Sequence, residues 1–381
     1  MINYSIIDKY IDRLIDDTTP DKPIWNIENI KHGKAPGWNY IDGCMMTSLY
    51  TIYQQTGKKK YIDFIDKFVD YYVFEDGSIR GYELDTYNVD NLNEGRVLFD
   101  LYRETGKEKY KKAINLLYSQ VIGQPRTALG NFWHKKIYPE QVWLDGLYMA
   151  QVFYTRYEAE FNGGKNFGDI ARQFQNVYDN MYDKQKRLYY HGWDYSKKSF
   201  WSDNNTGLSK SFWLRSVGWY TVGLVDTIGY MPDSAKEEKA KLVAIFKDTI
   251  EGLEQYIDKD KKMFWQVVDQ GGREGNYLET SGSAMIAYAM MKGARLGVVD
   301  KRFAKVGEEV FNGICNEYLT ETDGKLNLGG ICLMAGLGPE TNRKRDGSFE
   351  YYISEPIVEN DATGTGPFVM AYTEIKHKRD V

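Results

Sequence analysis

Apolar and polar residues alternate along the chain in a repeated helical pattern. Residues 49–73, LYTIYQQTGKKKYIDFIDKFVDYYV, align with residues 98–121, LFDLYRETGKEKYKKAINLLYSQV. Each copy starts with an aromatic helix end and passes through Thr-Gly-Lys, where Gly57 and Gly106 are typical of a helix C-cap. Apolar residues three and four positions apart follow, so each copy predicts a helical hairpin. Looser copies occupy residues 153–181 and 288–314.

The first helix of each hairpin is apolar on every side and follows a short polar signature. Six signatures occur along the chain: WNYIDG (38–43), YNVDN (87–91), VWLDG (142–146), SFWLRSVGW (211–219), NYLETSGSA (276–284) and ENDATGTGP (359–367). Because repeats bury their apolar faces against their neighbours, the pattern predicts an all-α closed ring of six inner helices inside six outer helices. An open solenoid would need polar-faced terminal repeats, and the last apolar helix, GPFVMAYTEI, is not polar. We therefore expect one barrel domain spanning residues 1–381.

Composition agrees with one large core and argues against several classes of partner. The chain of 381 residues has no Pro/Gly/Ser-rich linker, and its hydrophobic content is 42 %. Aromatic residues make up 15 %, and surplus Trp and Tyr side chains often line carbohydrate clefts. The net charge of −5 and the lack of a basic block argue against nucleic-acid and membrane partners.

Cysteines, histidines and the first residues bear on cofactors and compartment. Cys44, Cys315 and Cys332 are odd in number and widely spaced, which predicts reduced core thiols. The four histidines stand far apart without ligands at metal-binding spacing, so we expect no metal and no other cofactor. Acidic residues interrupt the early apolar positions, unlike a signal peptide, and we expect a cytoplasmic protein.

One carboxylate interrupts the aromatic run YPEQVWLDGLYMAQVFY at residues 138–154. Pro139 is typical of a first helical position, so the run predicts a buried helix with Asp145 about two turns from its start. An ionised carboxylate at such a place is costly unless it is paired or takes up a proton. Asp145 is therefore either a structural acid bonded to a neighbouring helix or a catalytic acid.

The helix starts bring further candidate groups to one cavity. If the inner helices all begin at the same end of the ring, six residues meet at its mouth: Asp42, Asp90, Asp145, Arg215, Glu279 and Asp361. A cleft rich in carboxylates and aromatic rings suggests sugar hydrolysis, because most glycosidases use two carboxylates. Arg215 either neutralises these acids or clamps an anionic substrate with its planar guanidinium.

Aromatic residues near the same mouth are candidates for sugar contacts. Five tryptophans lie in the signatures or in the loops before them: Trp38, Trp143, Trp193, Trp213 and Trp219. One such tryptophan is more often core filler, but five near one rim predict at least one sugar-stacking platform. His191, in YYHGWD, is either a loop histidine with satisfied hydrogen bonds or a substrate contact.

Five long segments carry a resemblance to a known family: FWHKKIYPEQVWLDGLYM (132–149), LYYHGWD (188–194), SFWLRSVGWY (211–220), MFWQVVDQG (263–271) and NYLETSGSAM (276–285). They resemble the unsaturated rhamnogalacturonyl hydrolases of glycoside hydrolase family 105, and the similarity runs from GWNYIDG to FVMAYTEI. The resemblance implies an (α/α)6 barrel and cytoplasmic action on unsaturated disaccharides that pectin lyases release. The expected partner is thus a small unsaturated oligosaccharide.

The resemblance also implies roles for individual residues. Asp145 would protonate C4 of the substrate's C4=C5 double bond and then take a proton from the water that adds at C5. We expect burial to keep its carboxyl group protonated for the first step. Asp90 matches the second acid, which binds ring hydroxyls, although Asp85 in the same insertion is an alternative. His191, Arg215 and Trp219 match positions of the uronate subsite. Further contacts expected at the mouth are Trp38, Tyr40, Asp42, Trp143 and Trp213.

Three other functions stay open at this point. An unsaturated glucuronyl hydrolase acting on glycosaminoglycan fragments would share the barrel and the mechanism and differ in the pocket for the leaving sugar. A sugar epimerase or isomerase on a helical barrel generally needs paired histidines as acid and base. A non-catalytic sugar-binding protein would show the aromatic cleft without an acid in a dry helix. Sequence does not define the leaving sugar, the tolerance of sulfate or the oligomeric state.

Overall fold

The helices of the chain form two concentric layers. The computed structural model describes residues 4–379, and the side chains of residues 4–377. The α-helices are α1 (Ser5–Asp16), α2 (Ile27–His32), α3 (Tyr40–Thr56), α4 (Lys59–Asp70), α5 (Asp90–Glu94), α6 (Arg96–Thr105), α7 (Glu108–Gly123), α8 (Leu144–Phe161), α9 (Phe167–Met181), α10 (Leu214–Tyr230), α11 (Lys236–Glu254), α12 (Thr280–Arg295), α13 (Arg302–Tyr318), α14 (Phe349–Ile353) and α15 (Ala362–Arg379). The strands are β1 (Gln141–Trp143), β2 (Tyr182–Asp183), β3 (Leu188–Tyr189), β4 (Gly192–Asp194), β5 (Leu319–Thr322), β6 (Lys325–Leu328), β7 (Ile331–Cys332) and β8 (Ile357–Val358).

Six helical segments form the inner layer and close into a ring. α3 packs against α5, and the ring continues through α8, α10, α12 and α15, which packs back against α3. Five of these segments are long and mostly buried, and in α10 every residue from Leu214 to Ile228 is buried, whereas α5 is short and polar. Glycine allows a close seam, since a Cβ atom at Gly43 would lie 2.6 Å from Cα of Glu94 on the next helix. The predicted all-α (α/α)6 barrel is confirmed.

Amphipathic helices form the outer layer and cover the ring. Five of them follow an inner helix in the chain, as predicted: α4, α7, α9, α11 and α13. The sixth outer position is taken by α1, which buries its apolar face and pairs Asp8 with Lys376 of α15 at 2.9 Å. The prediction that every inner helix is followed by its own outer helix was therefore wrong for the sixth pair. The amphipathic pattern of residues 5–16 was the sequence feature that could have indicated α1 as the sixth outer helix.

The core runs from the barrel interior into the seams between the two layers. Cys44, Cys315 and Cys332 are buried in it without a disulfide, which agrees with their prediction as core thiols. Among the described residues, no helix that encloses this core is long and apolar enough to cross a membrane.

Long connectors at one end of the barrel carry several of the short strands. β1 pairs with β4 in antiparallel register, with Val142 opposite Trp193. β7 pairs with β8, with Ile331 opposite Val358. β1 leads directly into α8, so the connectors surround the end of the barrel at which the inner helices begin.

A buried ion-pair network ties α6, α10 and α12 together. Asp226 of α10 accepts hydrogen bonds from Arg96 Nη2 at 2.6 Å, Lys292 Nζ at 2.7 Å and the Tyr288 hydroxyl at 2.8 Å. Burial opposes the ionisation of Asp226, but Lys292 and Arg96 outweigh it and hold the pKa of this carboxyl below its usual range. The charged carboxylate therefore stabilises the contact between α6, α10 and α12.

We expect Asp226→Asn to destabilise the protein by about 3 kcal/mol at neutral pH, because it leaves two buried cations without their counter-charge. This corresponds to a Tm lower by about 5 °C for a chain of this size. The folded-state pKa is lowered, so the stabilisation is present above the unfolded pKa and is lost as pH falls through the folded value. Thermal melts of both proteins at pH 7 and at about pH 3 measure the difference.

Asp233→Asn is the matched control, because Asp233 is fully exposed and 3.7 Å from its partner Lys239. It should leave Tm unchanged. An Asp226→Asn protein with wild-type Tm at pH 7, or with the same deficit at both pH values, would contradict the assigned role of the network.

Candidate active site

A cleft with a cavity volume of about 120 Å³ opens at the mouth of the barrel. Three of the six residues predicted to meet there line it: Asp90 from α5, Asp145 from α8 and Arg215 from α10. The predicted convergence of helix starts thus brings two carboxylates and one guanidinium together.

The other three predicted residues are buried beside helix starts and do not line the cleft. Glu279 caps α12 by accepting hydrogen bonds from two backbone N–H groups of the first turn. Asp361 accepts from the backbone N–H of Thr363 at 3.0 Å. Asp42 accepts from Trp25 Nε1 at 2.8 Å, and burial raises its pKa to about 6. The structure therefore places Asp42 away from the cleft, where its carboxylate holds the polypeptide rather than facing a ligand.

Asp145 lies in the first turn of α8, not two turns into it. β1 keeps residues 141–143 extended through its pairing with β4, and the backbone N–H of Leu144 donates to the carbonyl of His191 at 3.0 Å. The helix start predicted at Pro139 was wrong, because this long-range pairing overrides the local signal. The side chain of Asp145 is 13 % exposed, so this residue lies in the cleft wall rather than in a dry helix interior.

His191 lies between Asp145 and Tyr352. Its Nε2 atom is 3.1 Å from Oδ2 of Asp145, and its Nδ1 atom is 2.6 Å from the Tyr352 hydroxyl. Burial raises the pKa of Tyr352 well above its usual value, so the phenol keeps its proton. Trp213 stacks on Tyr352 with ring centroids 5.7 Å apart. The imidazole therefore connects the cleft carboxylate to a buried, rigidly held hydroxyl.

Asp90 has a different environment. Its Oδ2 atom is 2.8 Å from Nζ of Lys135, and its Oδ1 atom is 3.4 Å from Nε2 of His134. Burial opposes the ionisation of Asp90, but Lys135 and His134 lower the pKa of this carboxyl below its usual value. Burial lowers the pKa of His134 to about 4, so the balancing charge comes from Lys135. The alternative acid, Asp85, lies exposed in a 3₁₀ turn outside the cleft lining.

Arg215 is buried and holds the connector that follows β7. Its Nε donates to Ser281 Oγ at 2.8 Å, Nη1 donates to the carbonyl of Leu333 at 3.2 Å, and Nη2 donates to the carbonyl of Cys332. Glu279 lies 3.8 Å from Nη2. A guanidinium has five N–H donors, so two are left for other partners. Arg215 thus holds the connector in place through its hydrogen bonds and also lines the cleft.

Stacked aromatic rings line the cleft. Trp143 lies between His134 and Tyr138, with ring centroids 4.3 Å and 5.1 Å apart. Trp219 stacks on Tyr148 at 4.5 Å. Such rings are rigid because each is packed on another, which suits a platform for a sugar face.

The structure brings some of the predicted aromatic contacts to the cleft and leaves others outside. Tyr40, Trp143, Trp213 and Trp219 line it. Trp38 is buried outside this lining, and its Nε1 donates to the carbonyl of Asn91 at 2.8 Å. Trp193 is buried in β4, also outside the lining. The expected ligand contact of Trp38 therefore has no support in the geometry.

Sequence reasoning missed three polar residues of the site. Lys135 stands in the FWHKK segment, and its charge next to His134 was the sequence feature that could have indicated it. Arg345 stands in the basic run NRKRDGS, which was a signal for an anion site. Tyr352 belongs to no motif, and only folding of the connector before α15 brings it to His191.

Comparison with known proteins gives one consistent result. The sequence profile of Glycosyl Hydrolase Family 88 matches residues 7–378. The solved structure of a family 105 glycoside hydrolase from C. acetobutylicum ATCC 824 is 43 % identical and superposes with a TM-score of 0.89. The similarity covers 97 % of this chain and 99 % of that one.

Two curated relatives are similar over shorter stretches. Protein Atu3128 of Agrobacterium fabrum is 38 % identical over 49 % of this chain and 81 % of its own length. The unsaturated rhamnogalacturonyl hydrolase YesR of Bacillus subtilis is 25 % identical over 68 % of this chain and 72 % of its own length. The barrel, the two carboxylates at its mouth and these matches agree, and the chain belongs to the glycosyl hydrolases of the related families 88 and 105.

Proposed function

We propose that this protein hydrolyses sugars that carry a 4,5-unsaturated uronic acid at the non-reducing end, and that its substrates are rhamnogalacturonan fragments left by lyases in the cytoplasm. The observation that carries the proposal is Asp145 in an aromatic cleft, 3.1 Å from a histidine that is itself held by a buried tyrosine. The activity named for the Bacillus subtilis relative supports the substrate class.

The proposed reaction begins at the double bond rather than at the anomeric carbon. Asp145 in its acid form gives a proton to C4 of the vinyl ether, and positive charge develops at C5 and the ring oxygen. Water adds to C5 and returns a proton to the Asp145 carboxylate. The hemiketal at C5 opens to a ketone and leaves a hemiacetal at C1, whose collapse releases the neighbouring sugar.

His191 and Tyr352 give Asp145 two proton arrangements that suit these steps. When Asp145 is ionised, the Tyr352 hydroxyl donates to Nδ1, and the ring proton is on Nε2, 3.1 Å from Oδ2 of the carboxylate. When Asp145 is protonated, Nε2 carries no proton and faces the carboxyl group, and Nδ1–H donates to the Tyr352 oxygen. The two arrangements differ by one proton on the carboxyl group, which is the proton that C4 needs.

Asp90 is proposed to hold the substrate rather than to move protons. Its lowered pKa keeps it ionised, so it accepts hydrogen bonds from ring hydroxyls and does not donate them. Lys135, 2.8 Å away, balances its charge. The two cleft carboxylates thus take different roles because one faces a histidine and the other a lysine.

Glycosaminoglycan fragments are the second candidate substrates. The observation that favours them is the pair of basic residues in the cleft, Lys135 and Arg345, because such fragments carry more negative charge. Initial rates on lyase products of pectin and of glycosaminoglycans, followed by loss of the ultraviolet absorbance of the double bond, decide between the two.

Asp145→Asn should keep the fold, bind the unsaturated disaccharide and lose at least about 10² of the turnover rate. Asn has nearly the same shape as Asp but neither delivers a proton to C4 nor accepts one from water. The measurements are kcat, substrate affinity by calorimetry and Tm. Asp85→Asn is the control with wild-type kcat, and near wild-type turnover of Asp145→Asn would remove this residue from the mechanism.

Arg215→Lys should raise KM roughly tenfold, because an ammonium group does not replace the planar set of donors. Part of the change reaches the site through the connector carbonyls that Arg215 holds, so Tm should fall as well. Arg302→Lys at an exposed pair with Glu254 is the control. Normal binding and turnover by Arg215→Lys would show that charge alone is enough at this position.

Exhaustive chelation should leave the activity unchanged, because the proposed steps use side chains and water alone. The described residues contain no group of three or more His, Cys, Asp or Glu arranged to hold a metal ion. The measurement is the initial rate before and after dialysis against a chelator. A loss of rate that zinc or calcium restores would argue against this chemistry.

A further inference from the structure

Three cations line the cleft, and they differ in how their charge is used. Arg215 donates to Ser281 and to two backbone carbonyls. Lys135 pairs with Asp90 at 2.8 Å. The Arg345 side chain makes no ion pair or hydrogen bond with any described residue. Among the described residues, Arg345 is therefore the cleft cation whose N–H donors are all left for a ligand.

The connector around Arg345 is folded so that its acidic neighbour does not neutralise it. Asp346 forms an ion pair with Lys210 at 2.7 Å and accepts a hydrogen bond from the Ser348 hydroxyl at 2.6 Å. The carbonyl of Arg345 accepts from the backbone N–H of Gly338 at 2.9 Å, which fixes the loop. Glu355 feels the charge of Arg345 but stays beyond ion-pair distance. A partly buried guanidinium held in this way is set up for a negatively charged ligand.

Arg345 lies toward the outer part of the cleft. A Cβ atom at Gly336 would be 3.6 Å from Arg345 Nη1 and 3.5 Å from Cζ3 of Trp143, so the guanidinium and the Trp143 ring both border this glycine. Its charge also reaches Lys135, whose side chain is 25 % exposed. Arg215, in contrast, is 2 % exposed at the closed part of the cleft. A sugar chain that enters with its non-reducing end first has its leaving portion, the sugars released from the unsaturated uronate, in the exposed part of the cleft where Arg345 lies.

We propose that Arg345 is a specificity-determining residue that binds an anionic group on the leaving portion of the substrate. The group is the carboxylate of a following uronic acid or a sulfate on the leaving sugar, since both match the planar donors of a guanidinium. The inference rests on the proposed hydrolysis and adds to it the charge of the preferred leaving group.

The test compares three substrates with the wild type and Arg345→Gln. They are an unsaturated uronyl-rhamnose disaccharide, its tetrasaccharide with an internal uronate, and an unsaturated disaccharide with a sulfated leaving sugar. For the wild type, kcat/KM on at least one substrate with an anionic leaving portion should exceed that on the uronyl-rhamnose disaccharide, whose leaving sugar is uncharged, by about tenfold. Arg345→Gln should lose this advantage, so that its kcat/KM on the acidic substrates falls to the value that the same variant shows on the disaccharide. The acidic substrate that loses its advantage identifies the carboxylate or the sulfate as the bound group.

Two further variants separate charge from folding. Arg343→Gln removes a charge from the same loop at a residue that is 68 % exposed and 3.4 Å from Glu340, and should leave all three rates unchanged. Arg345→Lys keeps the charge and should retain part of the preference. Equal kcat/KM of the wild type on all three substrates, or a preference that survives in Arg345→Gln, would overturn the inference. A wild type inactive on every substrate would instead contradict the proposed hydrolysis itself.

Discussion

The antiparallel pairing of β1 with β4 is the constraint on which the site depends. It ends at Trp143, so α8 begins one residue before Asp145 and exposes this carboxylate to the cleft. The same pairing brings His191 beside the helix start, where its carbonyl accepts from Leu144 and its ring reaches Asp145. One backbone contact between two connectors thus joins an acid and a histidine that stand 46 residues apart in the sequence.

The second constraint is the set of partners that the barrel places next to each buried carboxylate. At the mouth, Asp90 is kept ionised by Lys135, whereas Asp145 faces the His191 imidazole, whose Nε2 atom is 3.1 Å from Oδ2. Elsewhere in the inner layer, a carboxylate such as Asp226 is enclosed by cations and serves stability. Three buried acids on inner helices therefore differ in role because of their nearest partner, not because of their depth.

The barrel could be predicted from the sequence because the patterns that indicate it lie within short stretches of the chain. All-round apolar helices, Thr-Gly-Lys turns and polar signatures are read from short windows, and they placed Asp90, Asp145 and Arg215 at one mouth. The start of α8 was predicted wrongly because its strand partner lies some 50 residues away, beyond any window. Asp42 showed the same polar-before-apolar pattern as Asp145, since a buried residue at a helix start and a catalytic residue look alike in sequence. Tyr352 and Arg345 come from a connector whose path only the folded chain defines.

The central claim is that Asp145 delivers a proton to carbon. Hydrolysis of the unsaturated disaccharide in heavy water, with the products examined by NMR and mass spectrometry, tests it most directly. The account predicts one deuterium bound to C4 of the released keto acid, introduced during turnover and not by later exchange of the product. Released product with no deuterium on C4, or cleavage that leaves the double bond intact, would contradict it.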